Sequence, residues 1–422
     1  MWSCLKRAWR SHFNGQFFAI MTILFGHPAG NANSHHAALA HFEAGHLEAF
    51  CVPWMPSELA LRLLEQLDVL EPVARLARRH FAPLADAPKV QGRIGEVRRL
   101  LSRSFGGDHA RLSYEANDWL MRTMRAECRR SAVTAVHSYE DCSAWQFVEA
   151  KRLGKACIYD MPIGYYPAWE QTQLELARRY RDWLPTAGLP SQRYVRPEQK
   201  LLEMELADLV IVPSNFVADT VREFHADMNV ALTPYGIDTA MWRPNTDRRP
   251  DDIITFIFAG QCSIRKGIPL LLEAWRAAGL RHAKLRLVGS WHLAEIKRKT
   301  LPSGVEWTGQ VSSHQLLAYY QNSDIFIFPT YFEGRALVVG EALASGLPVL
   351  TTAASGWQEV IDTGCGRTAP IGSLDALVEG LRWFEAHREQ LPAMSRAARE
   401  QAIRTTWENY RRCVTQAVAS FV

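Results

Sequence analysis

Residues 331–352 read YFEGRALVVGEALASGLPVLTT, placing Glu341 among apolar and small residues and Glu333 eight positions before it, directly followed by Gly334. A carboxylate in such surroundings is costly unless donors reach it. The preceding DIFIFPT reads as a strand, YFEG turns the chain, and a helix is expected to begin near Arg335 or Ala336. The backbone N–H groups of Gly334, Arg335, Ala336 and Leu337 are then the unpaired donors of a helix start, which suits a phosphate. Glu341 lies one to two turns inside that helix, within reach of a group attached to the phosphate. A ribose, with two hydroxyl donors, would suit it. The alternative is that Glu333 only favours the helix dipole and Glu341 points to solvent. A second stretch, QCSIRKGIP, carries Arg265 and Lys266 just before a helix with Pro269 in its first turn. Two cations beside a helix start again suit an anion, a solvated basic turn being the other reading. Two anion-friendly strand ends in one domain point to a diphosphate.

These residues need rigid elements behind them, and the hydrophobic pattern supplies them. FFAIMTILF, AVTAVHS, KACIYDM and ADLVIVPS read as strands in the first half, ITFIFAG, KLRLVGS, VEWTG, DIFIFPT and PVLTT in the second. Helical patterns separate them, among them SHHAALAHFEAG, CSAWQFVEAKRLG, SNFVADTVREF with Ser214 as N-cap, and PLLLEAWRAAG. Continuous apolar strands alternating with helices predict parallel sheets covered on both faces. The expected fold is α/β, two doubly wound Rossmann-like domains facing across a cleft, with ligands beyond the carboxyl ends of the strands. The polar, proline-bearing GIDTAMWRPNTDRRPDD is the expected linker. It divides an N-terminal domain, 17–240, from a C-terminal one, 250–405.

At 422 residues the chain exceeds the usual size of one core. A net charge of +4 is too slight to imply nucleic acid, and eight cysteines without a CxxC pair fit a reducing cytosol. The opening MWSCLKRAWRSHFNGQFFAIMTILFG has basic residues and a short apolar run, read as a buried first strand and not a signal. Residues 1–16 are expected to be a basic amphipathic extension, or Met21 is the natural start. Between positions 75 and 111 nine Lys and Arg face three acids. GRIGEVRRLLSRSFGG is therefore either a basic amphipathic helix for peripheral contact with an anionic membrane or a solvated helix face.

The ordered set of segments resembles a known family. From Glu333 to Val349 the chain reads E-G-x-x-L-x-x-x-E-A-x-A-x-G-x-P-V, similar to the Glu-x7-Glu motif of family 4 retaining glycosyltransferases of the glycosyltransferase B (GT-B) fold. HHAALAHFEAGHLEAF, ADLVIVPSNFV, PYGIDTAMWRP, FAGQCSIRKGIPLLLEAW and WENY extend the likeness over most of the chain. The resemblance implies transfer of a sugar from a nucleotide-diphosphate sugar to a glycan, lipid-linked or small-molecule acceptor. It assigns Glu333 to the donor sugar, Glu341 to the ribose, and Arg265 with Lys266 to the diphosphate. It also implies that the terminal helix, 406–422, crosses back to the N-terminal domain. Gly30 and Asn31 match the family's Gly-rich loop, a tight turn being the alternative.

Three departures stand out. Gly260 is followed by Gln261, where many members have arginine; Gln261 can hydrogen-bond a phosphate without neutralising it. Glu-Gly-Arg-Ala replaces Glu-Gly-Phe-Gly, placing Arg335 near the donor. The strand that often ends in a histidine facing the sugar reads AVHSYED, with Tyr139 at that position. The acceptor-side candidate is Glu140, ahead of Asp141 and His137, which has a strand-end role as its alternative. His35 and His36 face either cleft or core. The candidate catalytic residues are thus Glu333, Glu140 and Lys266. Nothing resembles Asp-x-Asp, so the sequence requires no metal and no other cofactor, and helix ends with basic side chains would stabilise the leaving group. A nucleotide-sugar epimerase of the same fold and a non-catalytic nucleotide-sugar-binding protein are the competing readings. A dehydrogenase is disfavoured because no GxGxxG follows a strand.

Overall fold

The computed structural model describes residues 21–65, 76–77, 79–104, 109–185, 196–245 and 252–421. The extension 1–16, the first residues of the FFAIMTILF strand and part of the linker lie outside the described residues. The first half forms β1 (Ile23–Gly26), β2 (Leu47–Val52), β3 (Lys89–Gln91), β4 (Ala135–Tyr139), β5 (Ala156–Asp160), β6 (Leu209–Val212) and β7 (Val230–Leu232). The second forms β8 (Ile254–Ala259), β9 (Ala283–Val288), β10 (Val305–Gly309), β11 (Ile325–Phe328), β12 (Val349–Thr352) and β13 (Gly366–Ala369). Every strand pair is parallel. The orders are β3-β2-β1-β4-β5-β6-β7 and β10-β9-β8-β11-β12-β13. β1, β4, β6, β8 and β11 are buried along their whole length. Strands enclosed by helices on both faces need apolar residues at every position, which is the pattern their sequences show.

The helices of eight or more residues are α1 (Ala32–Glu43), α2 (Glu58–Glu65), α3 (Arg93–Ser104), α4 (His109–Glu127), α5 (Ala144–Arg152), α6 (Tyr166–Arg179), α7 (Pro197–Leu206) and α8 (Asn215–Phe224). In the second half they are α9 (Ile268–Ala278), α10 (Ser313–Gln321), α11 (Leu337–Ala344), α12 (Leu374–Ala386), α13 (Leu391–Arg404) and α14 (Trp407–Ala419). Both sheets reverse their strand order once, between β1 and β4 and between β8 and β11. Such switch points open a crevice at the carboxyl ends, and the candidate residues lie on the loops that follow these four strands or, for Leu337 and Glu341, on the helix that follows β11. This is the expected two-domain Rossmann-like architecture.

Two helices tie the halves together. α14 buries Tyr410, Val414 and Val418 in the core of the seven-stranded sheet. Its first residue, Trp407, stacks on His36 of α1 at 4.4 Å between ring centroids. α6 does the reverse: Leu176 and Tyr180, at and just beyond its end, join the core of the six-stranded sheet, where the Tyr180 and Tyr331 hydroxyls are 2.8 Å apart. Glycine is required where the chain crosses, since a Cβ on Gly236 would lie 2.1 Å from the Trp407 nitrogen.

The basic segment is helical over α3. Glu96 is buried there and takes Arg79 at 2.6 Å and Arg99 at 3.1 Å, while Ile94 is 88% exposed. Positions 75, 78 and 105–108 of that segment lie outside the described residues. Among the described residues no helix is long and apolar enough to cross a membrane.

Candidate active site at the strand switch points

The loops after β8 and β11 meet at the switch point of the second sheet. Gly267 ends the first loop with φ 76°, and a Cβ there would sit 2.0 Å from the carbonyl oxygen of Pro329 in the second. The left-handed backbone and the close approach both demand glycine. Tyr331 N–H donates to the Arg265 carbonyl at 2.9 Å, zipping the loops together. Their charged groups converge on one carboxylate. Arg265 Nη1 donates to Glu333 Oε1 at 2.6 Å and to the Phe332 carbonyl at 2.9 Å, and Lys266 Nζ pairs with the same Glu333 oxygen. Lys266 lies 5.0 Å from the centre of the Phe328 ring. Burial pushes its ammonium down to about 8, with Glu333 opposing and Arg265 adding to that shift. Gln261 is exposed at the mouth of the first loop.

α11 begins at Leu337, with Ala336 as N-cap. The Ala336 N–H already donates to the Ser355 carbonyl at 3.0 Å, which removes it from the open donors expected at this helix start. The N–H groups of Gly334, Arg335 and Leu337 meet no backbone acceptor among the described residues. The Arg335 side chain turns away from the loops. It is buried over the Trp357 ring at 3.8 Å and donates to the Gly356 carbonyl and to Glu359, each at 2.7 Å. Only the Arg335 backbone therefore remains available at the helix start.

Of the residues of α11, Leu337, Val338 and Glu341 alone are not buried. These positions share one helix face, so Glu341 opens on the same side as the helix start. Its carboxylate accepts no hydrogen bond among the described residues, and burial pushes it up to about 7.

The seven-stranded sheet supplies the other wall. The loop after β5 presses on Gly334: a Cβ there would lie 1.7 Å from the Pro162 carbonyl oxygen. Gly164 N–H donates to the Glu333 carbonyl at 3.3 Å, and Ser214 Oγ donates to the Gly334 carbonyl at 2.6 Å while capping α8. Trp169 of α6 packs on Phe332 at 5.2 Å and lies 6.0 Å from the Arg265 guanidinium. Glu140 follows β4, and its N–H donates to Asp160 at the end of β5 at 3.1 Å, two residues before Pro162. This pairing brings Glu140 toward the wall that touches Glu333 and Gly334. Lys200 Nζ pairs with Glu140 and Asp141, each at 2.9 Å. Burial pushes the Glu140 carboxyl up, against the pull of Lys200. Asp141 has φ 70°, a strained value for a residue with a side chain. Glu203 holds that turn by accepting from the N–H groups of Asp141, Ser143 and Ala144 at 2.8–3.2 Å.

The other N-terminal candidates are occupied within the fold. Gly30, at φ 72°, donates its N–H to His27 Nδ1 at 2.8 Å, and the Asn31 side chain caps α1 by accepting from Ser34 N–H at 2.9 Å. His137 is fully buried, 2.9 Å from His41 Nε2 and 3.5 Å from Asp160. His35 stacks on Phe81 in the core, and His36 on Trp407. Trp169, Lys200 and the Ser214 hydroxyl joined the site unannounced. Trp169, the one tryptophan of α6, was a signal for the first; Lys200 has none.

Residues 243–401 match the family model described as glycosyl transferases group 1. The lipopolysaccharide 1,2-N-acetylglucosaminetransferase of Salmonella typhimurium is 26% identical over 56% of this chain and 68% of its own. The putative colanic acid biosynthesis glycosyltransferase WcaL of Escherichia coli is 25% identical over 41% of this chain and 46% of its own, so the chain spans less than half of that relative. Sucrose-phosphate synthase from Thermosynechococcus elongatus superposes with a TM-score of 0.63 at 18% identity, over 95% of this chain and 98% of that one. Anabaena HepE, solved with UDP and glucose, gives 0.58 at 14% identity over 95% and 100%. The structural likenesses establish the GT-B fold. The matched segment and the curated relatives support a glycosyltransferase.

Proposed function

We propose that this chain is a retaining, family 4-like glycosyltransferase that moves a sugar from a nucleotide-diphosphate sugar to an acceptor hydroxyl. One observation carries the reading: a partly open Glu341 carboxylate, with no hydrogen-bond partner among the described residues, lies on the unburied side of the helix whose start carries open N–H groups at the β8/β11 switch point. A ribose attached to a phosphate at that helix start would satisfy both. Arg265 and Lys266 neutralise the diphosphate, Glu333 contacts the transferred sugar, and Glu140, steadied by Lys200, faces the acceptor. HepE, whose structure holds UDP and glucose, and the lipopolysaccharide and colanic acid relatives favour a nucleotide-sugar donor and an envelope-glycan acceptor.

The ribose assignment makes a specific prediction. Ribose contacts are present in ground and transition states alike, so their loss raises KM and leaves kcat nearly unchanged. Glu341→Gln is expected to raise the donor KM at least about tenfold, from about 1.5–3 kcal/mol for a hydrogen bond to a charged group. Steady-state kinetics and nucleotide titration read the two quantities separately. Binding as tight as the parent's would make Glu341 a structural carboxylate only.

A further inference from the structure

The cations assigned to the diphosphate are not waiting empty-handed. Arg265 Nη1 lies 2.6 Å from Glu333 Oε1, and Lys266 Nζ shares that same oxygen. Glu333 is 9% exposed, and both cations are partly shielded from water. Ion pairs of this kind are not cheaply broken by screening, because the surrounding protein replaces much of the solvent.

We infer that Glu333 acts as an internal stand-in for the diphosphate, so that donor binding is an exchange of anions and Glu333 discriminates the intact nucleotide sugar from the nucleoside diphosphate left after transfer. The inference rests on the diphosphate role proposed for Arg265 and Lys266. When a diphosphate takes these two cations, the Glu333 carboxylate loses its partners in a shielded place. An intact donor can repay that loss, because its sugar hydroxyls donate to the released carboxylate. A nucleoside diphosphate has no sugar to offer. It leaves Glu333 either unpaired or competing for the same two cations, which weakens product binding and favours product release. Specificity then comes from what the wrong ligand fails to satisfy.

The probes are inorganic pyrophosphate and UDP, titrated calorimetrically into the parent, Glu333→Gln and Lys266→Ala. Groups facing Lys266 are Glu333, Arg265 and the Phe328 ring, so removing the Glu333 charge also lowers the Lys266 pKa. The titrations are therefore run at pH 6, below the value of about 8 at which burial holds the parent's lysine. Glu333→Gln is expected to bind pyrophosphate and UDP at least about fivefold more tightly than the parent, while uridine binds all three proteins alike and reports an intact fold. The conservative variant Glu333→Asp, which keeps the charge, should show no such gain. Equal or weaker pyrophosphate binding by Glu333→Gln, with binding lost in Lys266→Ala, overturns the exchange and leaves the diphosphate site standing. Unchanged binding in Lys266→Ala removes the diphosphate site itself, and the inference with it.

Discussion

Gly334→Ala is expected to lower kcat/KM by about a hundredfold or more while nucleotide binding to the second domain changes only a few-fold. The added Cβ would stand 1.7 Å from the Pro162 carbonyl oxygen, less than any non-bonded pair tolerates. That oxygen is backbone, so no side chain can swing aside. Either the loop after β5 retreats, breaking the Gly164 N–H bond to the Glu333 carbonyl, or Gly334 itself shifts, which also breaks the bond its carbonyl accepts from Ser214 beyond β6. Both bonds join the two walls of the site beside the carboxylate proposed to serve the sugar. A displacement of about 1 Å between reacting partners can cost a factor of about a hundred. Turnover and melting temperature measured on the same preparation separate this from unfolding. Parent-like turnover would mean that this closed contact plays no part in the reaction.

Lys266→Ala is expected to weaken nucleoside diphosphate binding by roughly ten- to a hundredfold, from about 1.5–3 kcal/mol for one charge-assisted hydrogen bond. A second readout identifies the cause. Burial holds the Lys266 ammonium down at about 8. A phosphate binds the protonated form, so the parent's affinity should hold below pH 8 and fall as pH rises through it, by up to about tenfold per unit. In Lys266→Ala that fall should vanish. An affinity that declines above pH 8 as steeply in the variant as in the parent would assign the titration to another group.

Which parts of this were legible in the sequence follows from what each residue depends on. β8 and β11 were plain because strands buried on both faces must be apolar throughout. β13, GRTA, carries no such run, and its Gly366 is fixed by close packing, where a Cβ would meet the Val349 carbonyl oxygen at 1.9 Å. Nothing local announces such a strand. The capping role of Ser214 was visible from type and position, but its bond to Gly334, 120 residues away, was not. Arg335 shows the same limit: its position beside Gly334 suggested the donor, yet the direction of its side chain is set by Trp357 and Glu359. The charges of Arg265 and Lys266 pointed to an anion, and the family resemblance assigned Glu333 to the sugar. That they would pair with one another needed the two loops brought together.

The most direct test of transfer from a nucleotide sugar is to incubate the purified protein with a panel of nucleotide-diphosphate sugars and identify the products by mass spectrometry and nuclear magnetic resonance. The proposed function predicts slow hydrolysis of a selected donor, releasing nucleoside diphosphate and a sugar whose anomeric configuration is initially that of the donor, with release slowed at least about tenfold in Glu333→Gln. Isomerised nucleotide sugar with no nucleoside diphosphate released, or tight binding of a donor that stays intact, would contradict it.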